Sequence, residues 1–143
     1  MNTITLLKLV LVLIGSAIAL LGLNVGLGGI RTLGWQIPQD FIAVTNADVF
    51  QTQDSHIRFI GGVWFGIGVL FLGGALRLDR LRSSLIALCA VIAVAGLFRL
   101  SAMNLGVIFS AEIAPSLIFE IVGFPLLSLW LMRSTPATKT QEA

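Results

Sequence analysis

RFIGGVWFGIG, residues 58–68, decides the fold of this chain, because it sets four glycines among large apolar side chains directly after a charge. No further charged residue follows until Arg77. In water, each glycine inside a helix would cost about 1 kcal/mol relative to alanine. In lipid, small residues let a neighbouring helix approach closely, and Gly62 and Gly66 have the small-xxx-small spacing that favours such contact. The stretch therefore predicts a membrane helix whose packing face contains Gly61, Gly62 and Gly66.

The composition of the whole chain points to the same environment. Of its 143 residues, 57% are hydrophobic and 11% are charged, whereas a soluble domain carries about a quarter charged residues. The net charge of +2 and the absence of a basic cluster argue against nucleic acid as a partner. One cysteine and one histidine cannot build the usual metal or disulfide frameworks. We therefore expect no cofactor, no metal site and no enzymatic activity.

The first apolar segment runs from Leu9 to Ile30 without a charge, between Lys8 and Arg31. About 20 apolar residues are enough to cross a hydrocarbon core of roughly 30 Å. The alternative is a cleavable signal peptide, because residues 17–19 (Ala-Ile-Ala) have the small-x-small pattern of a cleavage site. The apolar run continues well past these residues, which favours an uncleaved helix. Its packing face is expected to contain Gly22 and Gly26.

Three further apolar segments follow, and the chain reads as a single membrane domain, residues 1–143. The predicted helices span about 6–28, 59–76, 83–107 and 115–132, with an outer loop at 29–58 and a disordered tail at 134–143. Within the loop, Trp35 and its apolar neighbours suit the lipid–water boundary. Asn46 or Thr45 is expected to cap a short helix that starts at Ala47.

The distribution of basic residues predicts the orientation. With four crossings both termini lie on one side, and six basic residues fall on that side against three on the other. The positive-inside rule therefore places the termini in the cytoplasm. The expected fold class is an all-α integral membrane bundle of four transmembrane helices, in a bacterial inner membrane.

Charges inside the apolar segments are the candidate functional residues. Arg99 and Glu120 lie at similar depth on consecutive antiparallel helices, and an unpaired charge at the bilayer centre costs about 2.5–3.5 kcal/mol. We therefore expect these two side chains to pair, with Arg58 and His56 close enough to join an outer polar cluster. One hypothesis is that the pair only fixes the helix register. Another is that the cluster binds an anionic head group or small acid, and a third is a proton relay through Glu120.

The ordered set of these motifs resembles a bacterial membrane family known as domain of unknown function 4345. The resemblance rests on the arginine and spaced glycines of residues 58–68, on Gly96 and Arg99 with Ser101 close by, and on Glu120 in the last helix. It covers nearly the whole chain, from the first helix to Met132. The resemblance implies an integral inner-membrane protein and supplies no catalytic residues.

Two classes of function remain open at this point. The first is a non-enzymatic accessory or scaffold protein, whose partners besides the lipid bilayer are a larger membrane-protein complex or further copies of itself. The second is a small transporter or a lipid- or anion-binding protein that uses Arg58, Arg99, Glu120 and His56. Whether those charges line a water-reachable cavity or are sealed together distinguishes the two classes.

Overall fold

The computed structural model describes residues 2–32 and 43–134, and every regular element in these ranges is helical. The elements are α1 (Thr3–Gly28), a 3₁₀ turn (Gly29–Thr32), α2 (Ala47–Leu76), α3 (Leu78–Arg99), a 3₁₀ turn (Leu100–Ala102), α4 (Leu105–Ile108), α5 (Ala114–Ile118), a π turn (Phe119–Gly123) and α6 (Phe124–Arg133). The predicted loop around Trp35 and the tail from residue 135 onwards lie outside the described ranges.

Four helical stretches in these ranges are long and apolar enough to cross a membrane: Thr3–Thr32, Ala47–Leu76, Leu78–Ala102 and Ala114–Arg133. Many large apolar side chains along them are exposed, among them Leu13, Phe59, Val91 and Leu126. Exposed apolar surface on this scale is typical of helices that face lipid. The prediction of an all-α membrane protein with four spanning helices is confirmed.

The helix bounds differ from the predicted ones at the start of α2, after Arg99, and at the start of α3, which is Leu78 rather than residue 83. α2 begins at Ala47 rather than near residue 59, because the side chain of Asn46 accepts hydrogen bonds from the backbone N–H groups of Asp48 and Val49, each at 3.1 Å. Residues 47–58 are therefore helical and continuous with the membrane span. The predicted helix 83–107 is interrupted, because Met103 adopts a left-handed conformation with φ of 56° and Asn104 caps the short α4.

The contacts divide the chain into two compact units, and residues 8–76 form one of them. In this unit α1 and α2 pack in antiparallel fashion along a seam of small residues. A Cβ placed on Gly22 would lie 2.8 Å from the Cα of Phe65, and one placed on Gly61 would lie 2.6 Å from the Cα of Gly26. Neither backbone can move aside, so the absence of a side chain at these positions sets the helix spacing.

The seam corrects the sequence-based assignment of Gly62 and Gly66. A Cβ on either of these glycines would meet no described atom within 4 Å, whereas Gly61 and Gly68 lie against α1. The α2 residues that lie against α1 are spaced alternately by three and four residues, as is typical of paired helices. Gly62 lies about 100° around the helix axis from Gly61 and therefore points away from this seam. α2 thus carries two glycine faces, of which α1 covers one.

The second unit contains residues 77–143 together with the first seven residues. Its described part pairs α3 with the composite helix formed by α5, the π turn and α6. Leu85, Leu117 and Leu131 are among its fully buried side chains. This pairing brings Arg99 opposite Glu120.

Candidate functional site

Arg99 and Glu120 form a bidentate ion pair within the second unit. Arg99 Nε donates to Glu120 Oε2 at 2.7 Å, and Arg99 Nη2 donates to Glu120 Oε1 at 2.8 Å. The Glu120 side chain is only 8% exposed, while that of Arg99 is 41% exposed. Parallel hydrogen bonds between a guanidinium and a carboxylate combine charge with fixed geometry. The predicted pairing of these two residues is confirmed.

Gly96, one turn before Arg99 on α3, makes room for the carboxylate. A Cβ on Gly96 would lie 2.7 Å from the Cβ of Glu120 and 3.2 Å from its Oε2. Any larger residue there would push the Glu120 backbone away from α3. Gly96 and Arg99 therefore act together on Glu120: the glycine leaves room for its side chain, and the arginine neutralises its carboxylate.

Arg58 has a different carboxylate partner, because it forms an ion pair with Asp54 within the first unit. Arg58 Nε donates to Asp54 Oδ2 at 2.6 Å, and Asp54 Oδ1 accepts from the backbone N–H of Ile30 at 2.8 Å. Asp54 and Arg58 are one helical turn apart on α2, a spacing that allows such pairs. Through Ile30 the pair also ties α2 to the chain that leaves α1.

The rest of the Arg58 guanidinium caps the C-terminal end of α1. Nη1 donates to the carbonyl of Leu27, and Nη2 donates to the carbonyl of Gly28 at 3.4 Å. The last carbonyls of a helix have no partner within it, and their partial negative charge favours a cation. Gly29, with φ of 73°, turns the chain away from the helix axis at this point. Arg58 therefore satisfies the end of one helix from the side of another.

Polar side chains close the same end of α1 further. Asn24 Nδ2 donates to the carbonyl of Thr32 at 3.1 Å, and Thr32 Oγ1 lies 3.1 Å from the carbonyl of Asn24, to which it donates. The guanidinium of Arg31 lies over the ring of Phe50, 5.5 Å from its centroid, as in a cation–π contact. These contacts hold the first turns of α2 against the end of α1.

His56 is a member of neither ion pair. It is exposed on α2, where it lines an open, shallow depression together with Asp48, Gln51, Thr52 and Ser55. Among the described residues there is no group of three or more histidine, cysteine, aspartate or glutamate side chains placed to hold a metal ion. The residues of the predicted cluster belong to both units: Arg58 pairs with Asp54 in one, Arg99 pairs with Glu120 in the other, and His56 is exposed on α2.

Sequence reasoning missed the cap at the end of α1. The pairing of Asp54 with Arg58 follows from their spacing, but the role of Arg58 depends on a contact 30 or 31 residues away in the chain. A signal was present in Gly28 and Gly29, which end α1 and leave its carbonyls in need of donors. Gly96 belongs to a motif that the sequence analysis noted without a physical reason. The pairing of the helices supplies that reason, because the glycine leaves space for Glu120.

Comparison with known proteins agrees with this architecture. The family model described as Domain of unknown function (DUF4345) matches residues 6–131. No curated protein and no solved structure matched the chain. The match contains both ion pairs, the second and third spanning helices, and all but the outermost residues of the first and the last. The chain therefore belongs to the DUF4345 family, whose description assigns no activity.

Proposed function

We propose that this protein is a non-enzymatic accessory or scaffold subunit that docks onto another membrane protein through the uncovered glycine face of α2. The observation that carries the proposal is the contrast between adjacent residues: α1 packs against Gly61, whereas Gly62 faces open space among the described residues. Gly62 and Gly66 keep the small-xxx-small spacing that allows close helix contact in lipid. Within the described part of residues 8–76, this second seam has no covering helix, and we assign it to the partner.

The side chains beside this face support the proposal. Phe59, Val63 and Val69 lie around the glycine pair and are 72%, 45% and 46% exposed. Phe59 lies one turn before Gly62 and Val69 one turn after Gly66 on the same side of α2, so the open glycine pair has apolar neighbours along the helix. Lipid tails are as apolar as these side chains, so removal of water does not drive association in the membrane. The binding free energy of a partner helix comes from close packing and complementary shape instead.

The internal charges support docking over ligand binding or transport. A site for an anion needs donors that are free to bind it, but the guanidinium of Arg58 already donates to Asp54 and to two helix carbonyls. Arg99 uses two of its nitrogens on Glu120. Because these groups neutralise each other, they are better suited to holding helices together than to recruiting a charged ligand.

We further propose a bacterial inner membrane with both termini in the cytoplasm. The argument is the excess of basic residues on the terminal side of the spans, which the positive-inside rule associates with the cytoplasm. The two sides are Lys8, Arg77, Arg80, Arg82, Arg133 and Lys139 against Arg31, Arg58 and Arg99.

The test is the size of the protein in its own membranes after extraction with a mild detergent. The wild-type chain is expected to migrate in an assembly larger than a monomer. Gly62→Leu and Gly66→Leu should shift it to the monomer size, because a leucine covers the open glycine face without touching α1. Val91→Leu, a substitution at an exposed position on α3, is the matched control and should keep the assembly.

Two results would count against this function. Migration of the wild-type chain as a monomer would remove the proposed partner. An assembly that survives both glycine substitutions at full yield would show that the partner uses another surface. Identification of the co-migrating chains distinguishes a hetero-complex from a homo-oligomer.

A further inference from the structure

An open groove lies between α3 and α6 in the second unit, with a volume of about 360 Å³. Its lining residues come from both helices: Cys89, Ala90, Pro125, Ser128, Leu129 and Met132. Apart from one hydroxyl and one thiol, these side chains are apolar. Both helices belong to segments that are long and apolar enough to cross a membrane, so the medium beside the groove is hydrocarbon. An acyl chain is therefore the occupant that fits this lining.

Two arginines lie at one end of the groove. The buried ion pair joins the end of α3 to the π turn before α6, so the start of α3 lies beside the end of α6. Arg82 precedes Cys89 by seven residues, which places it about 10 Å along the axis and within about 20° of the same side of α3. Arg133 follows Leu129 by four residues and lies one turn beyond the groove. Both guanidinium groups can therefore reach the mouth of the groove, each from its own helix.

The donors of these two arginines are available for a ligand. Neither forms an ion pair or a side-chain hydrogen bond with a described residue, in contrast to Arg58 and Arg99. Arg77 and Arg80 stand at the same end without an ion pair, and Asp79 is the one carboxylate in the sequence of α3. Basic clusters directly beside a membrane span attract anionic lipids, and basic pockets between spanning helices bind their head groups. The charge at this end of the groove therefore complements a phosphate.

We propose that the groove binds an anionic phospholipid, with one acyl chain against Ala90 and Leu129 and the phosphate between Arg82 and Arg133. A guanidinium presents parallel donors that match the oxygens of a phosphate. The long arginine side chain extends from the span to the level of the head groups. The site belongs to the second unit and is independent of the glycine face on α2. Under the proposed orientation, the lipid comes from the cytoplasmic leaflet.

The test is the binding of lipid to the purified chain in neutral detergent micelles, measured by native mass spectrometry. Dioleoyl phosphatidylglycerol is the anionic lipid, and dioleoyl phosphatidylcholine, with the same chains and no net charge, is the reference. The wild-type chain should prefer the anionic lipid by at least about tenfold, because two arginines contact its phosphate. Arg82→Gln and Arg133→Gln should each lower this preference about fivefold.

Arg80→Gln is the matched control for the loss of charge. Arg80 lies nine residues before Cys89 and therefore about 180° around α3 from the groove. In a neutral micelle only an arginine that reaches the bound lipid contributes, so this variant should keep the wild-type preference. Equal affinity of the wild-type chain for the two lipids would overturn the proposal. A preference that Arg80→Gln lowers as much as Arg82→Gln would also overturn it, because net charge alone would then attract the lipid.

A second pair of variants tests the groove itself. Ala90→Phe fills the groove and should weaken the binding of both lipids severalfold without changing the preference between them. Val91→Phe, at the next position and about 100° further around α3, should leave binding unchanged. Both positions are exposed, so both variants should fold. Unchanged binding in Ala90→Phe, or displacement of the lipid by glycerol phosphate at the same concentration, would refute the groove as the site of the acyl chain.

Discussion

Replacing Glu120 with glutamine should destabilise the protein more than any other single loss of a carboxylate among the described residues. The substitution keeps the shape of the side chain and removes the charge that Arg99 faces at 2.7 and 2.8 Å. Arg99 would then remain at the end of a membrane span with no countercharge at this position. The amide offers one acceptor oxygen where the carboxylate offers two, so the bidentate geometry is lost as well.

The magnitude follows from the burial of the two partners. Removing one partner of a fully buried pair costs about 3–5 kcal/mol, while a solvent-exposed pair contributes about 0–1 kcal/mol. Glu120 is 8% exposed and Arg99 is 41% exposed, so the pair lies between these limits. We expect a loss of about 2–3 kcal/mol, a change of roughly 30- to 150-fold in the unfolding equilibrium.

The assay is reversible unfolding in mixed micelles, followed by the fluorescence of Trp64 and Trp130, which lie on α2 and α6. Glu112→Gln is the matched control, because Glu112 is exposed in the segment between α4 and α5, and it should change stability by less than about 0.5 kcal/mol. If Glu120→Gln has no larger effect than this control, the ion pair does not stabilise the fold. The reasoning about membrane charges would then be refuted.

Three further predictions concern the glycines and the cap of α1. Gly61→Ala should destabilise the protein by about 1–3 kcal/mol, because the added Cβ meets the backbone of α1. Gly62→Ala should be neutral or stabilise by up to about 1 kcal/mol, and equal effects of the two substitutions in unfolding experiments would contradict the seam. Gly96→Ala should lower the unfolding free energy by about 1–2 kcal/mol despite the better helix propensity of alanine, because the methyl group displaces Glu120. A gain in stability would show that α3 and the π turn can move apart at no cost in unfolding free energy. Arg58→Ala should speed amide hydrogen exchange in the turn after α1, notably at Ile30. Arg58→Lys should restore protection only in part, because an ammonium group cannot reproduce the several donors of a guanidinium. Unchanged exchange in Arg58→Ala would refute the capping role.

The sequence predicts the number and nature of the spanning helices because lipid imposes one dominant requirement. Backbone polar groups must be paired within each span, so a long uncharged apolar run becomes a helix. The same cost of isolated charge predicted the pairing of Arg99 with Glu120 before any contact was known. Local chemistry was sufficient as well for the Asn46 cap at the start of α2.

Helix bounds were harder to predict, because hydropathy marks the edge of the lipid and not the end of the helix. Residues 47–58 are too polar to count as a span, yet they continue α2 without a break. The opposite happens after Arg99, where apolar residues continue but the left-handed Met103 ends the helical run. In both cases capping and backbone conformation, not hydrophobicity, decide where the helix stops.

The choice between two glycine faces depends on a partner helix and so could not be read from α2 alone. Gly62 and Gly66 match the familiar spacing, but α1 packs against Gly61 and Gly68 because its own small residues, Gly22 among them, meet those positions. The π turn is a comparable case. A proline such as Pro125 is compatible with a kink in the last helix, but the π turn at Phe119–Gly123 is seen only in the structure.

The central claim is that the Arg99–Glu120 ion pair serves the internal packing of the protein and that the open glycine face of α2 binds its partner. The most direct measurement compares the native size of two variants after mild extraction from membranes. Arg99→Met/Glu120→Leu removes the ion pair in favour of apolar side chains, a change that is often neutral for stability, and Gly62→Leu fills the open face. The account predicts that the charge-free variant retains the assembly and that Gly62→Leu folds but migrates as a monomer. The reverse result, an assembly lost with the charges and kept with the leucine, would contradict it and assign the function to the ion pair.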